Sequence, residues 1–382
     1  MDYIAALLGV VTSFVVTVVI TAQLFFGGLF ANTQKITILP PALPEATRSV
    51  GATTSSQTII DIKASPKETK TNSQTAPTAT LIASTTSVPA VVLPPLAPAI
   101  SAEDLNTQTR AAVVNILCSV GGGNIKPISG SGVFIDTRGV ILTNAHIGQY
   151  FLLKDYPTKD NVDCTIRTGS PASPRYRATL LYLPPAWVAE NATQLIAEQA
   201  KGTGEHDYAF LLITGAVGQE ALPTSFPALP MAIAEPDLNA LTFLAAYPAG
   251  FLGGSSIQKN LFITSAYALV KELFTFSTRR EIDLVSIGGT IVSQGGSSGG
   301  AVVRAHDGKL QGIIATATAA DSTAQRDLRA ITLAHINRSL ITDNQGRLDI
   351  FLSQDVSVAV ARFASTTALT EKEILIKAIE RR

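Results

Sequence analysis

The sequence predicts a mainly-β domain built from antiparallel strands, arranged as a sandwich or a barrel. Three observations carry this. The candidate strands are short, among them "VVNILCSV", "DCTIRTG", "YAFLLIT", "ALTFLAAYP" and "GAVVRA". They are separated by Gly, Pro, Asn and Asp instead of alternating with helices, which argues against a parallel sheet. Finally, "GSGVFIDTRGVILTN" reads as a strand, a turn over residues 136–139 and a second strand, a hairpin signal.

The elements follow in chain order. No charged residue lies between Asp2 and Lys35, and "IAALLGVVTSFVVTVVITAQLFFGGLF" is long enough as a helix to cross a bilayer core of about 30 Å. The apolar stretch is longer than a signal-peptide core, no Lys or Arg precedes it and no A-x-A site follows it, so residues 1–31 are expected to be an uncleaved transmembrane anchor. Residues 32–100 are rich in Thr, Ser, Pro and Ala and carry no sustained apolar period. Such a segment buries too little surface to offset its ordering entropy, and reads as a disordered linker. It suits a stalk on the outer side of a cytoplasmic membrane. From Ser101 a short helix, "AEDLNTQTRAA", leads into the first strand. Within 184–204, Val188, Ala192, Leu195 and Ile196 fall at helical spacing, which predicts a surface helix. Two further helices are expected, around 331–340 and over 371–382, the second with Ile374, Leu375 and Ile379 near one face.

The 382-residue chain has no formal net charge, which argues against a nucleic-acid binder, since phosphate neutralisation needs a basic excess. It has two cysteines, Cys118 and Cys164. An even pair fits one disulfide in an oxidising compartment, and two buried thiols are the alternative. Neither has a histidine near it in sequence, so no metal site is expected. Of the four histidines, His146 ends the hairpin in "ILTNAHI". Asp207 stands before an apolar strand in "EHDYAFLLI", where a buried carboxylate could orient an imidazole through its Nδ1–H. His206 is a poor partner for it, because successive strand side chains point to opposite faces. The stretch "GGSSGGAVV" has the small residues that let a backbone bend into a nest of N–H groups, anchored by a buried strand that a flexible linker would lack.

Taken together, "GSGVFIDTRGVILTNAHI", "HDYAFLLI" and "GGSSGGAVV" resemble the trypsin-like serine proteases, and most of all the bacterial HtrA type. The likeness covers roughly residues 102–345. It implies a double six-stranded antiparallel β-barrel over residues 101–345, followed by a helical extension, 346–382, that is too short for a PDZ domain. It implies a serine endopeptidase acting on polypeptides with no metal or organic cofactor, which together with the expected anchor and linker gives a membrane-anchored enzyme of envelope protein quality control or processing. His146 would be general base and then acid, Asp207 its orienting carboxylate and Ser298 the nucleophile. The N–H groups of Gly296 and Ser298 would form the oxyanion hole. Ser297 stands where digestive members carry an Asp that pairs with a new N-terminus, so no activation of that kind is expected. Val292, Gly295, Ala315, Thr316 and Ala317 would line a small to medium apolar specificity pocket, with the last three adding substrate as a strand. Both cysteines would belong to the first barrel, so a Cys118–Cys164 bridge across it is expected. The alternative within the fold is a catalytically silent relative that binds peptides or partners, and outside it a structural surface module.

Overall fold

The computed structural model describes residues 100–197, 202–278, 280–318 and 322–381. The expected membrane anchor and all of the linker except Ile100 lie outside the described residues. Among the described residues no helix is long and apolar enough to cross a membrane.

Helix α1, Ala102–Ala112, starts where Ser101 accepts the Asp104 N–H on its hydroxyl at 3.0 Å. Glu103 and Asp104 in its first turn and Arg110 in its last suit the helix dipole. The chain then enters a closed antiparallel barrel of β1 (Val113–Val120), β2 (Ile128–Asp136), β3 (Val140–Thr143), β4 (Val162–Thr168), β5 (Ser173–Tyr182) and β6 (Ala209–Ala216). Around the ring the order is β1-β2-β3-β6-β5-β4. The hairpin between β2 and β3 closes through the Gly139 N–H on the Asp136 carbonyl, 3.0 Å, at the turn the sequence predicts. Cys118 and Cys164 face each other in the β1–β4 ladder and are joined by a disulfide. This pairing needs two strands that lie 46 residues apart in sequence.

The second half is one sheet of seven strands: β7 (Leu241–Ala246), β8 (Thr264–Leu269), β9 (Glu272–Phe274), β10 (Leu284–Gly288), β11 (Ala301–Arg304), β12 (Leu310–Ala317) and β13 (Leu328–Thr332). Its order is β8-β7-β11-β12-β13-β10-β9. This corrects the expected second six-stranded barrel. No ladder joins β8 to β9; these consecutive strands form the two ends of the sheet, and the chain turns the corner between them at Val270–Lys271. The reason lies in the hydrogen bonds of those two residues. The Val270 N–H donates to the Ala240 carbonyl at 3.0 Å and the Lys271 N–H to the Ser286 carbonyl at 2.8 Å, so adjacent residues serve opposite sides of the sheet. Each face has its own core. Leu244, Ala246, Val285, Val302 and Ile314 cluster on one side, while Phe243, Ala245, Ala301 and Val303 join the larger core shared with the first barrel. The period-2 alternation of β7 and β11 is thus buried on both faces.

Between β5 and β6 the predicted helical insertion is real but shorter and broken. It forms α3, Pro185–Asn191, after two short helical elements that follow β3, namely α2 (Ala145–Gly148) and a 3-10 turn (Gln149–Leu153). A second 3-10 turn, Ala192–Ile196, completes the insertion. Trp187, Val188, Ala192 and Leu195 are its buried residues. Helix α4, Gly254–Lys259, follows β7, and α5, Leu333–Thr342, follows β13. The C-terminal extension is three helices, α6 (Leu348–Ser353), α7 (Val356–Ser365) and α8 (Thr367–Glu380). Helix α7 packs on β5, and α8 packs on α3, on both 3-10 turns and on α7. Burying Leu375 and Ile379 of α8 contributes about 1.5–3 kcal/mol each.

The buried stripe of α8 is Glu371, Leu375, Ala378 and Ile379, so a carboxylic acid heads the face that the sequence marks as apolar. Glu371 is 1% exposed and neither of its oxygens has a hydrogen-bond partner. Burial pushes its pKa up to about 8. An unfolded Glu ionises near 4.5, so between that pH and about 8 the folded state holds a proton that the unfolded state has lost, and stability falls as pH rises through this window. Glu371→Gln should therefore raise the melting temperature at pH 8 by several degrees and leave it nearly unchanged at pH 3, where both states are protonated. Thermal melts at the two pH values check this; at this chain length each kcal/mol moves the midpoint by about 2–4 °C.

Candidate active site

The two halves of the fold meet over a cleft of about 570 Å³. His146, Asp207 and Ser298 all line it. Each arrives from a different element. His146 lies in α2, immediately after β3; Asp207 lies just before β6; Ser298 lies on the loop that enters β11. Since β3 and β6 are neighbours, the imidazole and the carboxylate meet at adjacent strand ends.

The carboxylate holds the histidine at three points. Asp207 Oδ2 is 2.9 Å and Oδ1 3.2 Å from His146 Nδ1, and Oδ1 also accepts the His146 backbone N–H at 3.0 Å. Asn144 donates to the Asp207 carbonyl at 2.8 Å and so fixes the backbone that presents it. The Asp207 side chain is 8% exposed and that of His146 30%, so the carboxylate is enclosed while the ring faces the cleft. Burial by itself disfavours the imidazolium. The charge of Asp207 and its hydrogen bond outweigh burial and hold the His146 pKa above its ordinary value of 6.5. An imidazole bound at Nδ1 in this way presents Nε2 as a base.

The serine turn is held from outside the cleft. Gly296 has φ +90° and Gly299 φ +83°, conformations that an L side chain rarely adopts. A Cβ on Gly299 would also collide with the Ser131 carbonyl. The Gly295 carbonyl accepts the Ala249 N–H at 2.7 Å, and the Ser298 carbonyl accepts the Ser131 N–H at 2.7 Å. Among the described residues neither the Gly296 nor the Ser298 N–H donates a hydrogen bond, so the turn keeps two free donors beside the Ser298 side chain. The Ser298 hydroxyl donates to the Ala315 carbonyl at 3.5 Å, and no hydrogen bond joins it to His146. Ser297 is fully buried with an unpartnered hydroxyl and does not line the cleft.

The remaining expected residues divide. Ala315, Thr316 and Ala317 line the cleft as β12 residues. Val292 does not: it is fully buried in the core of the second sheet. Gly295 is exposed and serves the turn through its carbonyl instead of lining the cleft. His206, as the sequence predicts, is not the partner of the buried carboxylate; it adopts φ +56° and its Nδ1 lies 3.1 Å from Ser339 Oγ. Ser131 escapes sequence reasoning, being visible only as the middle of a G-S-G motif. The insertion, placed between His146 and Asp207 in the sequence, leaves open an overhang of the cleft or mere decoration; Trp187, Asn191, Gln194 and Leu195 form a wall of the cleft. Among the described residues no three His, Cys, Asp or Glu side chains are placed to hold a metal ion.

The fold is a mainly-β trypsin-like one. Residues 130–313 match the family model of the trypsin-like peptidase domain. Solved structures of similar architecture include the HtrA-type protease AlgW with a tripeptide, at 18% identity, covering 65% of this chain and 65% of that one, TM-score 0.41. The Rv3671c protease from M. tuberculosis in its active form matches at 18% identity over 64% of this chain and 87% of that one, TM-score 0.38. Deg5 matches at 16% identity over 63% of this chain and 94% of that one, TM-score 0.40. The chain thus spans about 65% of the length of AlgW. No protein of curated function matches it.

The Asp207 contacts carry a direct test by NMR titration of the His146 ring. The midpoint should lie above 6.5 in the wild type. In Asp207→Asn the counter-charge is gone while burial remains, so the midpoint should fall below 6.5. A midpoint that does not move between the two proteins would show that Asp207 does not set the protonation of His146.

Proposed function

We propose that the chain is a serine endopeptidase that cleaves polypeptides through an acyl-enzyme intermediate. His146 Nε2 takes the proton of the Ser298 hydroxyl as its oxygen bonds to the scissile carbonyl carbon, then delivers it to the leaving amine as the C–N bond breaks. Water, deprotonated by the same imidazole, attacks the ester and returns Ser298 to its starting state. Asp207 keeps the productive tautomer and stabilises the imidazolium. The Gly296 and Ser298 N–H groups receive the carbonyl oxygen as it becomes an oxyanion. One observation carries this reading: a histidine bound at Nδ1 by an enclosed carboxylate shares a cleft with a serine whose turn keeps two undonated N–H groups. The bond from Ser298 to Ala315 must exchange for one to His146, and catalytic hydrogen bonds of this kind often tighten only when substrate is bound.

The cleft wall of Ala315, Thr316 and Ala317 offers small side chains and no carboxylate, which favours a small apolar residue such as Ala, Val or Leu at the cleavage position. The domain works on the outer side of a cytoplasmic membrane, anchored by residues 1–31, on unfolded or exposed polypeptide segments during envelope protein quality control or processing. Support for this location comes from the charge-free stretch after Asp2 and from the Cys118–Cys164 bond, since disulfides persist in oxidising compartments. A second reading, a catalytically silent domain that binds peptides, is favoured by the Ser298 hydroxyl lying on Ala315 instead of on His146.

Fluorophosphonate labelling separates the two. Wild type should label and cleave casein, Ser298→Ala should do neither, and Ser297→Ala should keep most of both. An unlabelled wild type would favour the silent reading. In intact cells a membrane-impermeant probe should label the protein if the location is right.

A further inference from the structure

Ser131 belongs to the first barrel, in the middle of β2, yet its polar atoms serve the turn that carries Ser298. It is fully buried. Its N–H donates to the Ser298 carbonyl at 2.7 Å. Its hydroxyl donates to the Gly296 carbonyl at 2.8 Å and accepts the Tyr247 N–H at 2.9 Å. Its own carbonyl accepts the Thr143 hydroxyl at 2.7 Å. Backbone N–H, backbone carbonyl and hydroxyl are all engaged, with the hydroxyl used in both of its senses.

The consequence falls on the peptide planes around Gly296. A glycine at φ +90° has no Cβ to hold its neighbouring peptides in place, so either plane can rotate at small steric cost. If the plane between Gly295 and Gly296 turned over, a carbonyl would stand where the undonated Gly296 N–H now is. Three bonds oppose rotation of the two planes, one of them from the Ser297 N–H to the Gln294 carbonyl at 3.2 Å, in the same plane as the Gly296 carbonyl. The Ala249 N–H holds the Gly295 carbonyl, and the Ser131 hydroxyl holds the Gly296 carbonyl. Tyr247 and Ala249 sit on the same short segment after β7, so the Tyr247 N–H on Ser131 Oγ also registers that segment against the turn.

We propose that Ser131 is a positioning residue: its hydroxyl locks the Gly296 carbonyl and the segment 247–249 so that the Gly296 and Ser298 N–H groups converge on one point. This rests on the reading of Ser298 as nucleophile, but the lock itself is a property of the turn and can be tested without turnover. Alanine at this position supplies neither donor nor acceptor. Threonine keeps the hydroxyl, and its branched side chain suits a strand.

The test compares Ser131→Ala and Ser131→Thr with wild type by two readouts. The first is relaxation-dispersion NMR at the Gly296 amide. Microsecond-to-millisecond exchange should appear in Ser131→Ala and be absent in wild type and Ser131→Thr. The second is kinetic. Losing one oxyanion donor outright costs about 10²–10³ in kcat, so loosening the pair should cost about 10- to 100-fold in kcat with little change in KM. Affinity for a peptide boronic acid, which forms a tetrahedral adduct, should fall by a similar factor, and Ser131→Thr should recover most of both. If Ser131→Ala does not fold, Ser131→Cys keeps the volume and weakens both bonds, and carries the same test. A quiet Gly296 amide together with unchanged boronate affinity would overturn the proposal. So would a fall in activity that tracks only a lowered melting temperature. If wild type itself fails to label with fluorophosphonate, the protease reading fails, and the Gly296 exchange measurement alone decides the lock.

Discussion

The hydrogen bond from the Ser131 N–H to the Ser298 carbonyl, 2.7 Å long, joins the two halves of the fold at the point where the cleft forms. Everything about the cleft depends on the halves meeting in this register. His146 and Asp207 come from the first barrel and are fixed to each other by it. Ser298 comes from the second sheet, and only its seating on β2 brings it to the same cleft. Gly299 makes the seating possible, because a Cβ there would collide with the Ser131 carbonyl. The glycine-rich turn is therefore a packed surface, bonded on its outer side and open only toward the cleft.

The molecule contains a second histidine–aspartate pair, and the contrast shows what distinguishes the first. His335 Nδ1 lies 2.8 Å from Asp283 Oδ1, closer than the corresponding contact of His146. Burial alone would raise the Asp283 pKa, but bonds from His335, Arg338 and the Phe276 N–H hold it well below the usual carboxylate range. The His335 side chain is only 8% exposed and its Nε2 is enclosed without a partner. Such a pair ties α5 to the loop before β10, and no substrate reaches it. A short Asp–His bond is common to both pairs; the open ring face and the neighbouring free N–H groups belong to one of them.

One wall of the cleft belongs to neither the barrel nor the seven-stranded sheet. Helix α3 and the 3-10 turn after it supply it, and α8 of the C-terminal extension packs behind them. A change in the seating of α8 is therefore a change in the support of the cleft, across a segment far from it in sequence. Glu371 is on the buried side of that helix. Tyr182, whose hydroxyl donates to Asp343 at 2.6 Å, has its pKa raised first by burial and further by Asp343 and Glu371.

Much of this was legible in the amino-acid order. Short apolar runs bounded by Gly, Pro, Asn and Asp mark β1, β6, β7 and β11, because strand formation there depends on local alternation and local turn chemistry. The residues around His146, Asp207 and Ser298 carry their resemblance in contiguous motifs. The weaker strands were not legible: β8 has no clear apolar alternation, β9 is only three residues long, and both exist through their partners in the sheet. The same holds for the break at Val270–Lys271, which turns an expected six-stranded barrel into a seven-stranded sheet. Val292 shows the limit of carrying roles over by position, since packing draws it into the core. By itself the sequence determined the strands with strong local patterns, the order of the three candidate catalytic residues and the glycines their turn requires. Tertiary structure alone decided the bond partners of Ser131, the use of the insertion as a cleft wall and the burial of Glu371. These contacts join residues far apart in the chain, and packing selects them where local pattern has no reach.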